Sequence, residues 1–177
     1  VSTAVPAVGA LCPHVRPGVG AVTTQAWVNP YLGFGAISAL ADGAEAGQAL
    51  DRVLAGDEST NVRQLGIVDA QGRSAAWSGE NCTPWYGHRT GPGYAIQGNI
   101  LVGAQVVDEM EDAWRRSDSG EPLARRLLGA LSAGDVAGGD RRGRQSAALL
   151  VVTPGGGYGG GSDVFVDLRV DDHGAPV

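Results

Sequence analysis

The apolar positions change period several times along the chain, and each change marks an element. Val1-Ser2-Thr3-Ala4-Val5 opens the chain as if already inside a strand, with no leading turn or cap. Residues 18–26, small and β-branched, predict a narrow strand that Asn29-Pro30 breaks. Two helices follow: 31–40, carrying Leu32, Ala36, Ile37 and Leu40, and 44–55, carrying Ala46, Ala49, Leu50, Val53 and Leu54 on one face. Leu65-Gly66-Ile67-Val68-Asp69 and Ser74-Ala75-Ala76-Trp77 flank Ala70-Gln71-Gly72-Arg73, a hairpin pattern with glycine where a positive φ costs little. A loop rich in proline and glycine precedes a strand at 94–98.

Two further helices are predicted at 104–117 and 122–133. Val106, Val107, Met110 and Trp114 share one face of the first, backed by Glu111–Arg115 and Asp112–Arg116 at helical spacing. Leu123, Leu127, Leu128 and Leu131 share one face of the second, with Pro122 near its first turn. Strands at 146–152 and 163–170, joined by a glycine loop, close the chain. Two helix pairs separated by sheet segments suit an α+β four-layer α-β-β-α sandwich, each pair covering one sheet. A Rossmann-type alternation would place single helices between strands, and none is present.

A length of 177 residues suits one domain over 1–177. All thirteen basic residues are arginine, and nineteen acids bring the net charge to -6. Without a basic stripe, nucleic acid is not an expected partner. No apolar run approaches the roughly 20 residues that span a bilayer, and no signal peptide is recognisable, so the expectation is a cytoplasmic protein without membrane contact. Cys12 and Cys82 read as small buried hydrophobes. His14 and His173 lack companions at ligand spacing, so neither a metal nor a cofactor is expected. Gly155-Gly156-Gly157-Tyr158-Gly159-Gly160-Gly161 lacks the Lys-Ser/Thr and following helix of a phosphate loop and reads as a hairpin loop.

Three stretches carry a resemblance: residues 17–27 (PGVGAVTTQAW), 87–99 (GHRTGPGYAIQGN) and 139–149 (GDRRGRQSAAL). In these and in its element order the chain resembles a bacterial family of unknown function in the Ntn-hydrolase superfamily, whose best-known fold is the proteasome β subunit. The resemblance implies cleavage of an amide bond by the first residue of the mature chain. There the side chain attacks and the free α-amine, with a reference pKa of about 8, takes the proton. Valine has no nucleophilic atom. The resemblance therefore places the nucleophile on a further strand upstream of Val1, and implies a helix after the closing segment 171–177.

By the same analogy, supporting groups fall on Ser2 and Thr3, on Arg16, in the 25–29 loop, at Gly98-Asn99, and on Asp140 and Ser146. The catalytic set so implied is Ser2, Arg16, Asn99, Asp140 and Ser146. Gln25, Trp27, Asn29, Arg142 and Arg144 are the substrate-binding set. Each has a plainer alternative. Arg16 lowers a neighbouring pKa or is a surface arginine before Pro17. Gln25, Trp27 and Asn29 form an oxyanion or substrate-amide site or cap the helix after Pro30. Asp140 with Arg141, Arg142 and Arg144 grips a substrate carboxylate or forms a structural ion network. His88 reads as a loop histidine.

Two functions from different classes follow. One is an amide-bond hydrolase of N-terminal-nucleophile type acting on a small amide or short peptide. The other is a non-catalytic ligand-binding or assembly protein that keeps the sandwich. Some relatives carry a module resembling a peptidoglycan-binding one, which points toward peptide chemistry. Edge pairing of such sandwiches implies a homo-oligomer.

Overall fold

The computed structural model describes residues 1–177 and is mixed α+β, with four helices and antiparallel sheets. In chain order the elements are β1 (Ser2–Thr3), β2 (Pro13–Arg16), β3 (Gly20–Ala26), α1 (Pro30–Ala41), α2 (Ala46–Ala55), β4 (Arg63–Asp69) and β5 (Ser74–Ser78). Then come β6 (Gly87–Gly91), β7 (Tyr94–Gly98), α3 (Gln105–Arg116), α4 (Leu123–Val136), β8 (Ser146–Val152) and β9 (Val164–Val170). The chain divides into two compact units, Leu11–Asn99 and Val1–Ala10 with Ile100–Val177.

In the 11–99 unit, β2-β3-β4-β5 form an antiparallel sheet and β6-β7 a separate hairpin. Val22, Leu65 and Ile67 pack one face of the sheet against Leu32, Ala36, Ala39, Leu40, Ala46, Ala49 and Leu50 of α1 and α2. The register sets Gln25 opposite Gln64 and Thr23 opposite Gly66. Strand alternation turns these pairs away from the helices. Asn29 caps α1 by accepting Tyr31 N–H at 3.1 Å, with Pro30 at the first helical position. α2 begins two residues later than the apolar pattern indicates. Gln48 Oε1 accepts Glu45 N–H at 3.1 Å, and the buried Asp69 carboxylate of β4 accepts Ala46 N–H at 3.2 Å. Those two bonds fix the helix start.

The other unit holds the antiparallel sheet β1-β8-β9, with α3 packed on α4 and α4 on β8. β1 registers Ser2 opposite Ala147 and Thr3 opposite Ser146, while Leu101 bridges to Asp140. Asp112 pairs with Arg116 at 3.4 Å as the spacing indicates.

Two expectations need correction, on the opening strand and on His88, and one strand was not foreseen. The opening strand pairs over Ser2–Thr3 alone, because Ala4 N–H turns to the Asp140 carboxylate. Pro13–Arg16 is a strand of its own, antiparallel to β3. His88 lies on a strand and not in a loop, with Gly87–Gly91 paired along its length to β7. No helix is long and apolar enough to cross a membrane.

Candidate functional site

Six of the ten predicted site residues fall into two groups, one in each unit. The first is built around Asp140, which follows α4 and bridges to Leu101. Arg142, two residues on, grips it through Nε to Oδ1 at 3.0 Å and Nη2 to Oδ2 at 2.6 Å, and donates its backbone N–H to Oδ1 at 2.9 Å. Thr3 Oγ1 and Ala4 N–H each donate to Oδ2 at 3.3 Å, and Arg142 Nη2 reaches Thr3 Oγ1 at 3.4 Å. Burial raises the pKa of Asp140, but the Arg142 hydrogen bonds and charge outweigh it and bring the net value below the ordinary carboxylate range. Five donors saturate this carboxylate, which offers about four lone-pair directions. It can orient a neighbour but has no room for a substrate proton.

Arg144 does not belong to this cluster. It pairs with Asp135 of α4, so three arginines around one aspartate reduce to one tight pair. Arg141 is exposed, with its backbone N–H bonded to Ile100 O at 2.9 Å. Ser146 is wholly buried and its hydroxyl is committed twice, donating to Val5 O at 2.6 Å and accepting Val8 N–H at 3.2 Å. Ser2 Oγ donates to Ser146 O at 3.2 Å.

The second group is a carboxamide network centred on Gln64, a residue the sequence reading overlooked. Its Nε2 donates to Gly98 O at 2.9 Å, Gly87 O at 3.3 Å and Ser78 Oγ at 2.8 Å. Backbone carbonyls only accept, so they fix which way this amide faces. Gln64 Oε1 therefore faces the other way and accepts from Gln25 Nε2 at 2.9 Å and Asn99 Nδ2 at 3.1 Å. Gln25 Nε2 also donates to Gln97 O at 3.2 Å. The polarity of three side chains is thus set by main-chain atoms. Gln97 donates to Thr23 Oγ1, and its buried Oε1 has no partner. A Cβ at position 66 would collide with the Gln97 carboxamide, so glycine makes the space for it. Ala26 and Ile100, which directly follow Gln25 and Asn99, both hold positive φ, at 68° and 57°.

Ser78 Oγ lies 3.0 Å from His88 Nδ1. Burial, then the charge of Arg89, lower the His88 pKa and so favour the neutral imidazole. Asn29 takes the plainer of its two readings. Besides capping α1, its Nδ2 donates to Asp57 Oδ2 at 3.1 Å, and Asp57 also holds Arg63 at 2.9 Å. Arg63 Nη1 in turn donates to Trp27 O, so this loop is pinned by its backbone while the Trp27 ring stays exposed. Arg16 is exposed at the end of β2. His14 Nε2 bonds Leu11 O at 3.1 Å, and His173 Nδ1 contacts Ala175 O. No three or more His, Cys, Asp or Glu side chains converge as a metal site.

The signals for Gln64 and Asp57 were faint. Gln64 opens a buried apolar run, where a carboxamide is out of place without partners. Asp57, just after Gly56 at the end of α2, has the place and the residue type of an ordinary helix stop.

The family described as "Family of unknown function (DUF1028)" matches residues 1–177. The crystal structure of protein SPO2555 from Silicibacter pomeroyi, described with the same family, is similar at 29% identity and a TM-score of 0.85. The match covers 97% of this chain and 73% of that one. No curated protein matches.

Proposed function

We propose that this chain, which belongs to the DUF1028 family of unknown function, is an amide-bond hydrolase of N-terminal-nucleophile type acting on a small amide or short peptide. The observation that carries the reading is the ionised Asp140 carboxylate holding Thr3 Oγ1 and Ala4 N–H at the N-terminal strand. In this mechanism the first residue of the mature chain attacks the amide carbonyl and its α-amine takes the proton. The C–N bond then breaks, the leaving amine carries that proton away, and water hydrolyses the acyl-enzyme. Asp140 is the positioning residue, keeping the N-terminal strand in register beside the nucleophile. Arg142 keeps Asp140 charged, and its Nη1, on a side chain 43% exposed, is the donor proposed for a substrate carboxylate.

The fold proposed to carry this chemistry is the four-layer α-β-β-α sandwich of the Ntn-hydrolase superfamily, here as one domain. The compartment proposed is the cytoplasm, in keeping with the free buried thiols Cys12 and Cys82.

The test is turnover of a panel of N-acyl amino acids, dipeptides and simple amides by the mature protein. Amine release is expected, with Asp140→Asn lowering kcat at least tenfold while the folded fraction is retained. Release from none of the panel, or an Asp140→Asn variant as active as the parent, refutes the reading.

The Gln64 network favours a second reading, a non-catalytic ligand-binding protein. Gln25 and Asn99 commit their N–H groups inward, which leaves Gln25 Oε1 and Asn99 Oδ1 as acceptors for a ligand N–H. Binding of a short peptide that Asn99→Ala abolishes, with no amine release, separates this reading from the first.

A further inference from the structure

The carboxamides of Gln25, Gln64 and Asn99 divide their donors and acceptors unevenly. Gln25 Nε2 commits both hydrogens inside the protein, to Gln64 Oε1 at 2.9 Å and Gln97 O at 3.2 Å. Gln64 Oε1 takes a second N–H from Asn99 Nδ2 at 3.1 Å, which fills its two lone-pair positions. Three groups are left over: Gln25 Oε1, Asn99 Oδ1 and the second Nδ2 hydrogen of Asn99. Gln97 Oε1 is the one buried side-chain atom without a partner. Gln25 Oε1 and Asn99 Oδ1, also unbonded within the protein, therefore reach the surface. A carboxamide oxygen lies about 2.2 Å from its own nitrogen, so both free oxygens lie within roughly 5 Å of Gln64 Oε1. No charged side chain bonds Gln25, Gln64 or Asn99.

We propose that this edge recognises a primary carboxamide, R–CO–NH2, in preference to any other nitrogen or oxygen head group. The proposal rests on the reading of the Gln64 network as a ligand site, and it needs no turnover. The match of donors to acceptors selects the ligand. A primary amide brings two N–H groups and one carbonyl oxygen. One N–H meets Asn99 Oδ1, the other meets Gln25 Oε1, and the carbonyl accepts the remaining Asn99 N–H. A secondary amide has a single N–H and leaves one of the two oxygens desolvated and unpaired. An ammonium has no acceptor for the Asn99 N–H and finds no carboxylate there to balance its charge. A carboxylate brings acceptors only and faces two oxygens. Gln64 is the positioning residue. Its Nε2 is held by the carbonyls of Gly87 and Gly98, so its Oε1 keeps the Gln25 and Asn99 nitrogens turned inward and their oxygens outward.

NMR titration of the intact chain with butyramide, N-methylbutyramide, butyrate and n-butylammonium tests it. Butyramide is expected to bind with a dissociation constant roughly tenfold or more below those of the other three, and to shift the Asn99 side-chain N–H signals. Asn99→Ala and Gln25→Met should each weaken butyramide about tenfold. Gln25→Met should also narrow the gap between butyramide and its N-methyl form, because it removes the acceptor for the second N–H. N-methylbutyramide, butyrate or n-butylammonium binding as tightly as butyramide overturns the proposal, and so does butyramide binding that is indifferent to both variants. If a short peptide still binds and is lost in Asn99→Ala, the ligand-site reading survives that failure. Binding of neither the peptide nor any of the four probes removes both. Should a variant fail to fold, the four-probe series on the parent chain decides alone.

Discussion

Arg142 holds Asp140 with two nitrogens on two oxygens, at 3.0 and 2.6 Å. Lysine at 142 keeps the charge but cannot reproduce that fork. The pKa of Asp140 is then expected to rise toward its ordinary value. Arg142→Lys should therefore lower stability above about pH 4 and shrink the part of it that is lost in acid, read from urea midpoints. Urea midpoints that match the parent at every pH would mean that the Arg142 fork does not hold the Asp140 pKa down.

Ser146 should matter for stability and not for chemistry. Its buried hydroxyl satisfies both Val5 O and Val8 N–H, and Ser146→Ala leaves both unpaired. The expected cost is about 1–3 kcal/mol, measured by urea denaturation, with the folded fraction as active as the parent. Loss of turnover without loss of stability would return Ser146 to the catalytic set.

Gln64 offers a sharper test of amide polarity. Gln64→Glu places a carboxylate against the carbonyls of Gly87 and Gly98, which accepted N–H bonds from the native side chain. Destabilisation of about 2–4 kcal/mol is expected at neutral pH. Part of it should be recovered as the pH falls and the acid gains a proton to donate. An equally stable variant would mean that the network is not fixed by those carbonyls.

Acid should unfold the protein in two stages. His14 and His88 have pKa values lowered chiefly by burial, so the native state favours their neutral form. The unfolded chain binds protons first, and stability present above about pH 6.5 is lost as the pH falls through the depressed folded values. Asp57, Asp69 and Asp140 are also depressed. In each, hydrogen bonds, including those from a neighbouring arginine, outweigh the upward push of burial. Their contribution is present above about pH 4 and disappears below it. Urea midpoints measured from pH 8 to pH 3 should show both declines, with His14→Phe/His88→Gln removing much of the first.

The four helices were legible because apolar residues recur at helical spacing and charges mark the outer faces of most. The strand at 87–91 was not, since Gly87-His88-Arg89-Thr90-Gly91 has no apolar alternation and is extended only because β7 pairs with it. The same contrast divides the site. Asp140 and Arg142 are two residues apart, so their pairing is local and readable. Arg144 instead finds Asp135, the last residue but one of α4, a choice made by the fold around the intervening glycines. Gln64 meets Gln25 only through the β3–β4 register, 39 residues away in sequence, and no local pattern announces such a pair.

The most direct measurement is covalent. Mature protein isolated from its native host is treated with an electrophilic β-lactone, and the modified residue is located by mass spectrometry. A single adduct is expected on the first residue of the mature chain, formed at least tenfold more slowly in Asp140→Asn. An adduct on Ser78, Cys12 or Cys82, or no adduct on a folded protein, would contradict it.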